Sequence, residues 1–515
     1  MKANIVQTLR PRLPLFHSFA GRRPGLSLFR RAAFRSIVLS TSVAALFLFS
    51  CEDVLKEEPK SLAVETFYNT VAEVESAVNA IYAPLRADNC LGGLYPAQME
   101  AYTDYSSGRG SYLVLSNFQG IDNTNITRVG QIWDLMYLAI RNANLVIANA
   151  PKGAVLSQND KNRFVAEARF LRALTYFFLV RNWGGVPLRT EANLTEQNLK
   201  RATAEEIYQL VLSDLKFAEE NLPVRAAQSG RPSRWAAKTV LADVYFYRGQ
   251  HAEARDKADE VIQSRTYSLV PVTVADDFLK LFGPDVITTP EEIFYLKYTR
   301  LNGQGFNLVM FAHHPGARLH GAGGFFAHFT DSNLNNVYKN WDGKDLRKAY
   351  NWYPYNIGLG PNTFLNKKFI DPTAPGGSGA ANDYPLYRYA DVLLLYAEAA
   401  ARAANGPTAA ALEALNQVRR RAYGRNPVQP SDVDFKLADY NAQTFIDLVI
   451  RERGYETQYE GKRWLDLKRT GRVKEFIRAG TGKDVADKHL LWPIPVSELN
   501  FNTGLDPKAD QNPGY

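Results

Sequence analysis

The chain is 515 residues long, 46% hydrophobic and 22% charged, which is the composition of a folded protein with ample length for a core. Its formal net charge of +8 suggests an acidic partner, yet residues 1–50 hold eight Lys and Arg residues and no Asp or Glu, which accounts for the whole excess. The rest of the chain is neutral, so its charge excludes an electrostatic footprint for DNA or RNA.

The first 50 residues have the order of a secretory signal peptide, in which a basic region precedes the apolar run 37–49 and a small residue. That run is too short for a membrane-spanning helix of about 20 residues. Residues 48–51, Leu-Phe-Ser-Cys, resemble a bacterial lipobox, which predicts lipidation of Cys51 after a signal peptide at 1–50 and a tether at 51–62. The alternative is a disulfide with Cys90, the only other cysteine.

An N-terminal helical part is predicted from residue 63 to residue 265. Apolar residues at helical spacing predict helices over 65–86, 131–149, 160–183, 204–222, 233–248 and 251–264. Thr203 and Glu206 have the spacing of a capping box at the start of one of them. Residues 89–127 break this pattern with Gly, Ser, Asn and aromatics, so we expect a long irregular loop of functional importance.

Two stretches have the spacing of small and apolar residues found in tetratricopeptide repeats. Leu241, Tyr245, Gly249, Ala254 and Ala258 fit best, and a poorer match runs from 399 to 418. The predicted fold is therefore mainly α, a tetratricopeptide-like helical-repeat scaffold. A large, irregular, loop-rich insertion at 266–382 interrupts it, with a few short strands such as 293–296.

A C-terminal helical part and tail are predicted from residue 383 to residue 515. A central helix should run over 383–404 with Pro385 in its first turn, and a single long helix over 441–468. The charged residues Arg388, Asp391, Glu398 and Arg402 fall on one stripe of the first helix, which predicts pairing with charges on neighbouring helices. Glu452, Glu456, Glu460 and Asp466 are likewise predicted to form a structural lattice with basic residues rather than a catalytic pair.

No local motif supports a cofactor or a metal. The histidines at 313, 314, 320 and 328 match no standard zinc ligand spacing, and the Gly-rich run 321–324 is not a dinucleotide fingerprint. A glycoside hydrolase pair of carboxylates stays open as an alternative, because its spacing is spatial rather than sequential.

The loop aromatics are the remaining positive signal. Flat aromatic faces stack on sugar faces or contact peptide side chains, although each ring could instead pack the insertion onto the scaffold. The candidate ligand-binding residues are Tyr95, Tyr105, Tyr112, Phe306, Trp352, Tyr353 and Tyr355.

Several motifs together resemble the SusD/RagB family of outer-membrane lipoproteins. The motifs are Tyr-Pro-Leu-Tyr-Arg-Tyr-Ala-Asp-Val at 384–392, Arg-Glu-Arg at 451–453, Glu-Gly-Lys-Arg-Trp-Leu-Asp-Leu at 460–467, Trp-Gly-Gly-Val-Pro at 183–187 and the ending Gln-Asn-Pro-Gly-Tyr. The resemblance spans essentially the whole chain after the leader. Glu52-Asp53 also resembles the acidic signal that sends such lipoproteins to the cell surface.

This resemblance implies a non-enzymatic, lipid-anchored protein of the outer membrane that faces the exterior. It would capture a nutrient, a glycan or oligosaccharide first and a peptide second, for a TonB-dependent β-barrel transporter of the SusC-like type. In the family the signature helices are scaffold and partner surface, whereas variable loops contact the ligand. A surface hydrolase and a purely structural lid over the barrel are the two other hypotheses.

Overall fold

A computed structural model describes residues 67–321, 323–375 and 379–515, and its helices account for most of the ordered backbone. The long helices are α1 (Val71–Arg86), α4 (Asn123–Asn149), α5 (Gln158–Trp183), α6 (Ala204–Asn221), α7 (Arg234–Tyr247), α8 (His251–Gln263), α13 (Tyr389–Ala403), α14 (Ala409–Ala422) and α15 (Ala442–Glu456). Each of these long helices packs beside the next one from α1 to α8, and α13 packs against α8 to continue the array. This confirms the predicted mainly α, tetratricopeptide-like scaffold.

Shorter elements fill the segments between the long helices. The short helices are α2 (Leu94–Ala101), α3 (Leu113–Ser116), α9 (Leu279–Phe282), α10 (Leu308–Ala312), α11 (Asn336–Lys339), α12 (Leu346–Asn351), α16 (Arg463–Arg469), α17 (Val473–Thr481) and α18 (Val496–Phe501). The strands are β1 (Ser107–Gly108), β2 (Glu292–Leu296), β3 (His328–Asp331), β4 (Trp352–Pro354), β5 (Thr363–Asn366) and β6 (Tyr384–Arg388).

Helix boundaries that depend on local chemistry lie where the sequence predicts them. The Glu206 backbone N–H donates to Thr203 Oγ1 at 3.2 Å, and the Thr203 N–H donates to Glu206 Oε2 at 2.8 Å. This reciprocal capping box starts α6 one residue after Thr203.

The predicted start of the central helix at residue 383, with Pro385 in its first turn, is wrong. Residues Tyr384–Arg388 form strand β6, antiparallel to β2, with Pro385 opposite Tyr295, and the helix begins only at Tyr389. Proline disfavours helical backbone at the residue before it, and the aromatic side chains of this run suit a strand. The partner strand lies far away in the sequence, so a local helical pattern could not reveal the pairing.

The single helix predicted over 441–468 is also wrong, because it is two helices, α15 and α16, joined by a turn. Tyr459 and Gly461 in that turn have positive φ angles of 59° and 67°, which an α-helix cannot accommodate. The turn directs Glu460 inward, where its side chain is fully buried.

The segment 89–127 is more regular than predicted. It contains α2, strand β1 and α3, and most of its aromatic rings face the core. The aromatic residues of this segment therefore help to fold it, in place of the long irregular loop that the sequence predicts.

A buried charge network joins the helical scaffold to the insertion. Arg388 donates to Glu456 at 2.5 Å and to Glu460 at 2.7 Å, and its side chain is fully buried. Further members are Arg421 with Glu291 and Glu456, Arg347 with Asp345, Glu452 and Glu456, and Lys368 with Glu460. Of the four charges predicted to pair, Arg388, Asp391 and Glu398 have partners on other elements, whereas Arg402 pairs with Glu398 on the same helix.

The charges in this network hold one another in their ionised forms. Burial alone would raise the pKa of Glu460, but Arg388 and Lys368 lower it well below its usual range. For Lys368, burial outweighs Glu460 and lowers the pKa to about 8. The network therefore links 291–368 to β6, α14 and α15 by charge as well as by packing.

The described residues form one compact unit, which contains the N-terminal helical part, the insertion and the C-terminal part. Cys90 is a free cysteine in its core, and burial raises the pKa of its thiol to about 12. Cys51, the predicted lipidation site, lies outside the described residues, as do the predicted signal peptide and tether. In the part of the chain that the structure describes, no helix combines the length and apolarity needed to cross a bilayer.

Candidate ligand-binding surface

A small antiparallel sheet in the insertion positions the candidate surface. Its strand order is β1-β3-β5-β4, with Thr330 opposite Phe364 and Tyr353 opposite Leu365. Strand β1 comes from the segment after α2, so the sheet brings 107–108 together with the two later segments that carry the surface aromatics.

His314 lies at the centre of this surface, at the start of the short turn 315–317. Its Nδ1 accepts a hydrogen bond from the Gly316 N–H at 3.0 Å, which fixes the orientation of the ring. The ring lies between two aromatic neighbours, with centroids 4.6 Å from Phe326 and 4.7 Å from Tyr355. The three rings therefore form a continuous, partly exposed row.

Tyr355 follows strand β4 and is held by a backbone hydrogen bond from its N–H to the Thr363 carbonyl at 2.9 Å. Its hydroxyl lies against Gly316, where an added Cβ atom would be 2.3 Å from the oxygen. Glycine at 316 thus allows the close approach of the Tyr355 ring to the turn. Tyr353 extends the row at 6.0 Å from Tyr355, and burial raises the pKa of its hydroxyl.

Phe325 and Phe326 complete the row on the other side of His314. Phe326 has a φ angle of 39°, an unusual value for a bulky residue, and the Arg109 guanidinium lies 4.0 Å from its ring centroid. Phe325 is 54% exposed and contacts Phe311 edge to face. We call the set His314, Phe325, Phe326, Tyr353 and Tyr355 the aromatic surface.

Two of the seven residues predicted from the sequence, Tyr353 and Tyr355, belong to this surface. The other five, Tyr95, Tyr105, Tyr112, Phe306 and Trp352, are each less than 5% exposed. A ring covered by protein has no free face on which a sugar could stack. The ligand-binding hypothesis is therefore carried forward for Tyr353 and Tyr355 alone.

The five buried rings each have a packing role. Tyr95 packs edge to face against Phe178 and Trp492, and Tyr105 donates its hydroxyl hydrogen to Glu100. Burial raises the pKa of Glu100 to about 7 despite the hydrogen bond from Tyr105.

The remaining three buried rings lie near the insertion. Phe306 stacks on Tyr384 at 5.2 Å, Tyr112 packs against Phe311, and the Trp352 Nε1–H donates to Gln458 at 2.7 Å. Packing of the insertion onto the scaffold is the alternative role that the sequence allows for each aromatic ring.

The other histidines of the insertion are core residues. His313 Nε2 lies 2.7 Å from the Phe369 carbonyl, and His328 Nε2 lies 3.0 Å from the Ala97 carbonyl. Burial lowers the pKa of His313 to about 4 and that of His328 to about 3, so both are neutral at pH 7. Among the described residues, no group of His, Cys, Asp or Glu has the arrangement of a metal site.

A cavity lies away from the aromatic surface and shares no residue with it. This cavity of about 460 Å³ opens between α11, α15 and α17, with Tyr440, Tyr455 and Phe476 among its lining residues. Arg451 and Asp447 also line it, so it offers an apolar body with polar groups at its side.

Sequence comparisons agree with this architecture. Residues 330–515 match the sequence model of the SusD family, and residues 53–246 match a model described as starch-binding, associating with the outer membrane. The chain belongs to the SusD/RagB family. SusD-like protein P2 of Formosa agariphila is 28% identical over 514 residues, covering 92% of this chain and 98% of the relative.

Solved structures share the SusD fold with this chain. Surface glycan-binding protein A from Bacteroides fluxus has a TM-score of 0.71 at 22% identity, covering 87% of this chain and 100% of that protein. A laminarin-binding SusD-like protein has a TM-score of 0.69 at 23% identity, also covering 87% and 100% of the two chains. At these identities the likeness establishes the fold.

Three members of the aromatic surface, His314, Phe325 and Phe326, are not among the binding residues predicted from the sequence. The sequence places His314 only among histidines without zinc ligand spacing, and no motif singles out the two phenylalanines. The signal that could have found the phenylalanines is the Gly323-Gly324 pair before them, because flexible backbone is needed to turn adjacent bulky side chains outward.

Proposed function

We propose that this SusD/RagB protein is a non-enzymatic binding protein that captures a glycan or oligosaccharide at the aromatic surface. The observation that carries the proposal is the row of rings formed by Phe326, His314 and Tyr355, which neighbour one another at 4.6 and 4.7 Å. An open row contacts successive sugar units of a chain, whereas a closed pocket would take only its end. The likeness in fold to glycan-binding and laminarin-binding proteins supports the same ligand class.

Replacing Tyr355 by alanine is expected to weaken glycan binding about two- to tenfold, because one aromatic contact contributes about 0.5–1.5 kcal/mol. Calorimetry with laminarin and a panel of neutral oligosaccharides measures the affinity of the wild type and of the variant. Phe501→Ala is the matched control, since Phe501 is 84% exposed on α18, outside the aromatic surface. Equal affinities of the wild type and Tyr355→Ala for every bound glycan would contradict this placement.

A peptide ligand is the second candidate, and the cavity between α11, α15 and α17 is the observation that favours it. Its aromatic lining suits an apolar side chain, and the Arg451 guanidinium, about half exposed, suits a carboxylate. Peptide binding that is lost in Phe476→Ala but kept in Tyr355→Ala would select this candidate over the glycan.

A glycoside hydrolase is disfavoured at the aromatic surface. The segments 105–121, 299–330 and 352–370, which carry this surface, contain no Asp or Glu. The carboxylates that directly follow two of them are already bound, because Asp331 accepts hydrogen bonds from the backbone of Asn333 and Leu334 and Asp371 pairs with Arg300. Most glycosidases need two carboxyl groups about 5–9.5 Å apart at the scissile bond, and none of these segments supplies one.

We further infer that Cys51 is lipidated, that it anchors the protein in the outer membrane facing the exterior, and that a SusC-like TonB-dependent β-barrel receives the captured nutrient. The lipobox-like residues 48–51 and the description of the second matched family model support the anchor. Co-purification with a large β-barrel protein would support the partnership.

Cys51→Ala is expected to release the protein from the membrane fraction and to abolish labelling by a fatty acid analogue. Cys90→Ala serves as the control, because Cys90 is buried in the core. A Cys51→Ala protein that stays in the membrane fraction, together with unlabelled wild type, would contradict the anchor.

A further inference from the structure

The chain segments that carry the aromatic surface contain basic residues but no acidic ones. The segments 105–121, 299–330 and 352–370 lack carboxylates, yet they contain Arg109, Arg300, Arg318, Lys367 and Lys368. Asp331 and Asp371 directly follow two of these segments, so the positive sign holds for the side chains within the segments, while the chain after its leader is neutral overall.

Some of these cations are neutralised within the fold. Arg300 pairs with Asp285 at 2.6 Å and with Asp371 at 3.0 Å, and Lys368 pairs with Glu460. They serve structural roles and offer little charge to a ligand.

Arg109 and Arg318 differ, because within the described residues neither guanidinium has an ion-pair partner or a hydrogen-bond acceptor. Both side chains are exposed. The Arg109 guanidinium lies over Phe326, so its plane is held at the edge of the ring row while its N–H groups remain open to solvent. Arg318 directly follows the turn 315–317 that carries His314, and its own N–H donates to the Pro315 carbonyl.

We propose that the glycan bound at the aromatic surface is anionic, with carboxylate or sulfate groups that Arg109 and Arg318 bind. A guanidinium offers paired N–H donors that match the oxygens of both groups. The ring row contacts the sugar faces, and the two arginines contact the charged substituents. This inference rests on the proposed glycan-binding function and specifies its substrate class.

The test compares polygalacturonate, the sulfated polysaccharide carrageenan and neutral laminarin as ligands of the mature protein. We expect the wild type to bind at least one anionic polymer at least tenfold more tightly than laminarin, and this affinity to fall as salt rises from 50 to 300 mM. Preference for polygalacturonate identifies carboxylate as the recognised group, and preference for carrageenan identifies sulfate.

The double variant Arg109→Gln/Arg318→Gln is expected to lose at least tenfold in affinity for the preferred anionic polymer and to keep its affinity for laminarin. Arg225→Gln/Arg265→Gln is the matched control, because it removes the same charge from two exposed arginines on other loops. Equal losses of affinity in the two double variants would show that the anionic polymer is held only by non-specific charge attraction. That result would overturn the proposal.

The remaining outcomes separate this inference from the proposed function. Binding of laminarin alone, weakened by Tyr355→Ala and unaffected by the arginine changes, would overturn the anionic ligand and leave the glycan-binding function standing. Absence of binding to all three polymers and to the neutral panel would overturn both.

Discussion

Replacing Arg388 by methionine is expected to lower the free energy of unfolding by about 3–5 kcal/mol. Arg388 is fully buried and donates to both Glu456 and Glu460, so its removal leaves an excess of carboxylates in the core. Arg421, Arg347 and Lys368 neutralise these carboxylates only in part, since they also serve Glu291, Asp345 and Glu452. Urea unfolding followed by circular dichroism measures the change.

Arg402→Met in the following helix, α13, is the control for this experiment. Arg402 pairs with Glu398 at 2.8 Å, is 28% exposed, and leaves Glu398 still paired with Arg469 when it is removed. We expect a loss below about 1 kcal/mol, as for other partly exposed pairs. An Arg388→Met protein within 1 kcal/mol of the wild type would refute a structural role of the buried network.

Acidification from pH 7 to pH 5 is expected to cost about 2 kcal/mol of stability for each of His313 and His328. Their pKa values in the folded protein are lowered by burial to about 4 and about 3, below the unfolded value of 6.5. In this pH range the unfolded chain binds protons at these positions and the folded chain does not. Stability from these groups is therefore present above pH 6.5 and is lost as the pH falls toward the folded values.

Two buried carboxyl groups have the opposite effect and stabilise the folded protein as the pH falls from 7 to 5. Burial raises the pKa of Glu100 to about 7 and that of Asp383 to about 6, so the folded chain takes up protons there on acidification. The net pH dependence of the wild type is thus smaller than the histidine contribution alone.

Comparison with His328→Gln isolates the histidine contribution. Glutamine keeps an amide donor for the Ala97 carbonyl but does not titrate, so the variant should lose about 2 kcal/mol less than the wild type between pH 7 and pH 5. Unfolding curves in urea at the two pH values measure this difference, and His313→Gln repeats it at a second position. Parallel pH dependence of all three proteins would show that the buried histidines do not control acid stability.

The sequence predicts those parts of the fold whose causes are local. The capping box of Thr203 and Glu206, the apolar face of α4 and the small residues between α7 and α8 act within a few turns, and their predicted helices are present. Strand β6 and the turn at 457–462 depend on distant partners. Tyr384–Arg388 becomes a strand because Glu292–Leu296 lies beside it.

The same distinction explains why the candidate surface could be predicted only in part. Whether an aromatic ring is exposed depends on which residues cover it, and Tyr95 is covered by Phe178 and Trp492 from remote segments. Tyr353 and Tyr355 resemble Tyr95 in local sequence character but lie at the edge of a sheet. Only the three-dimensional structure separates the two cases.

The antiparallel pairing of β2 with β6 has a consequence for how ligand specificity can change. The two strands hold residues 297 and 383 next to each other. The segment between them is therefore a long loop whose two ends lie side by side. Doubling the length of such a loop costs only about 0.6 kcal/mol of closure entropy. The segment that carries the aromatic surface can therefore change in length at little entropic cost, provided that Arg347 and Lys368 keep their partners Glu452 and Glu460 in the scaffold.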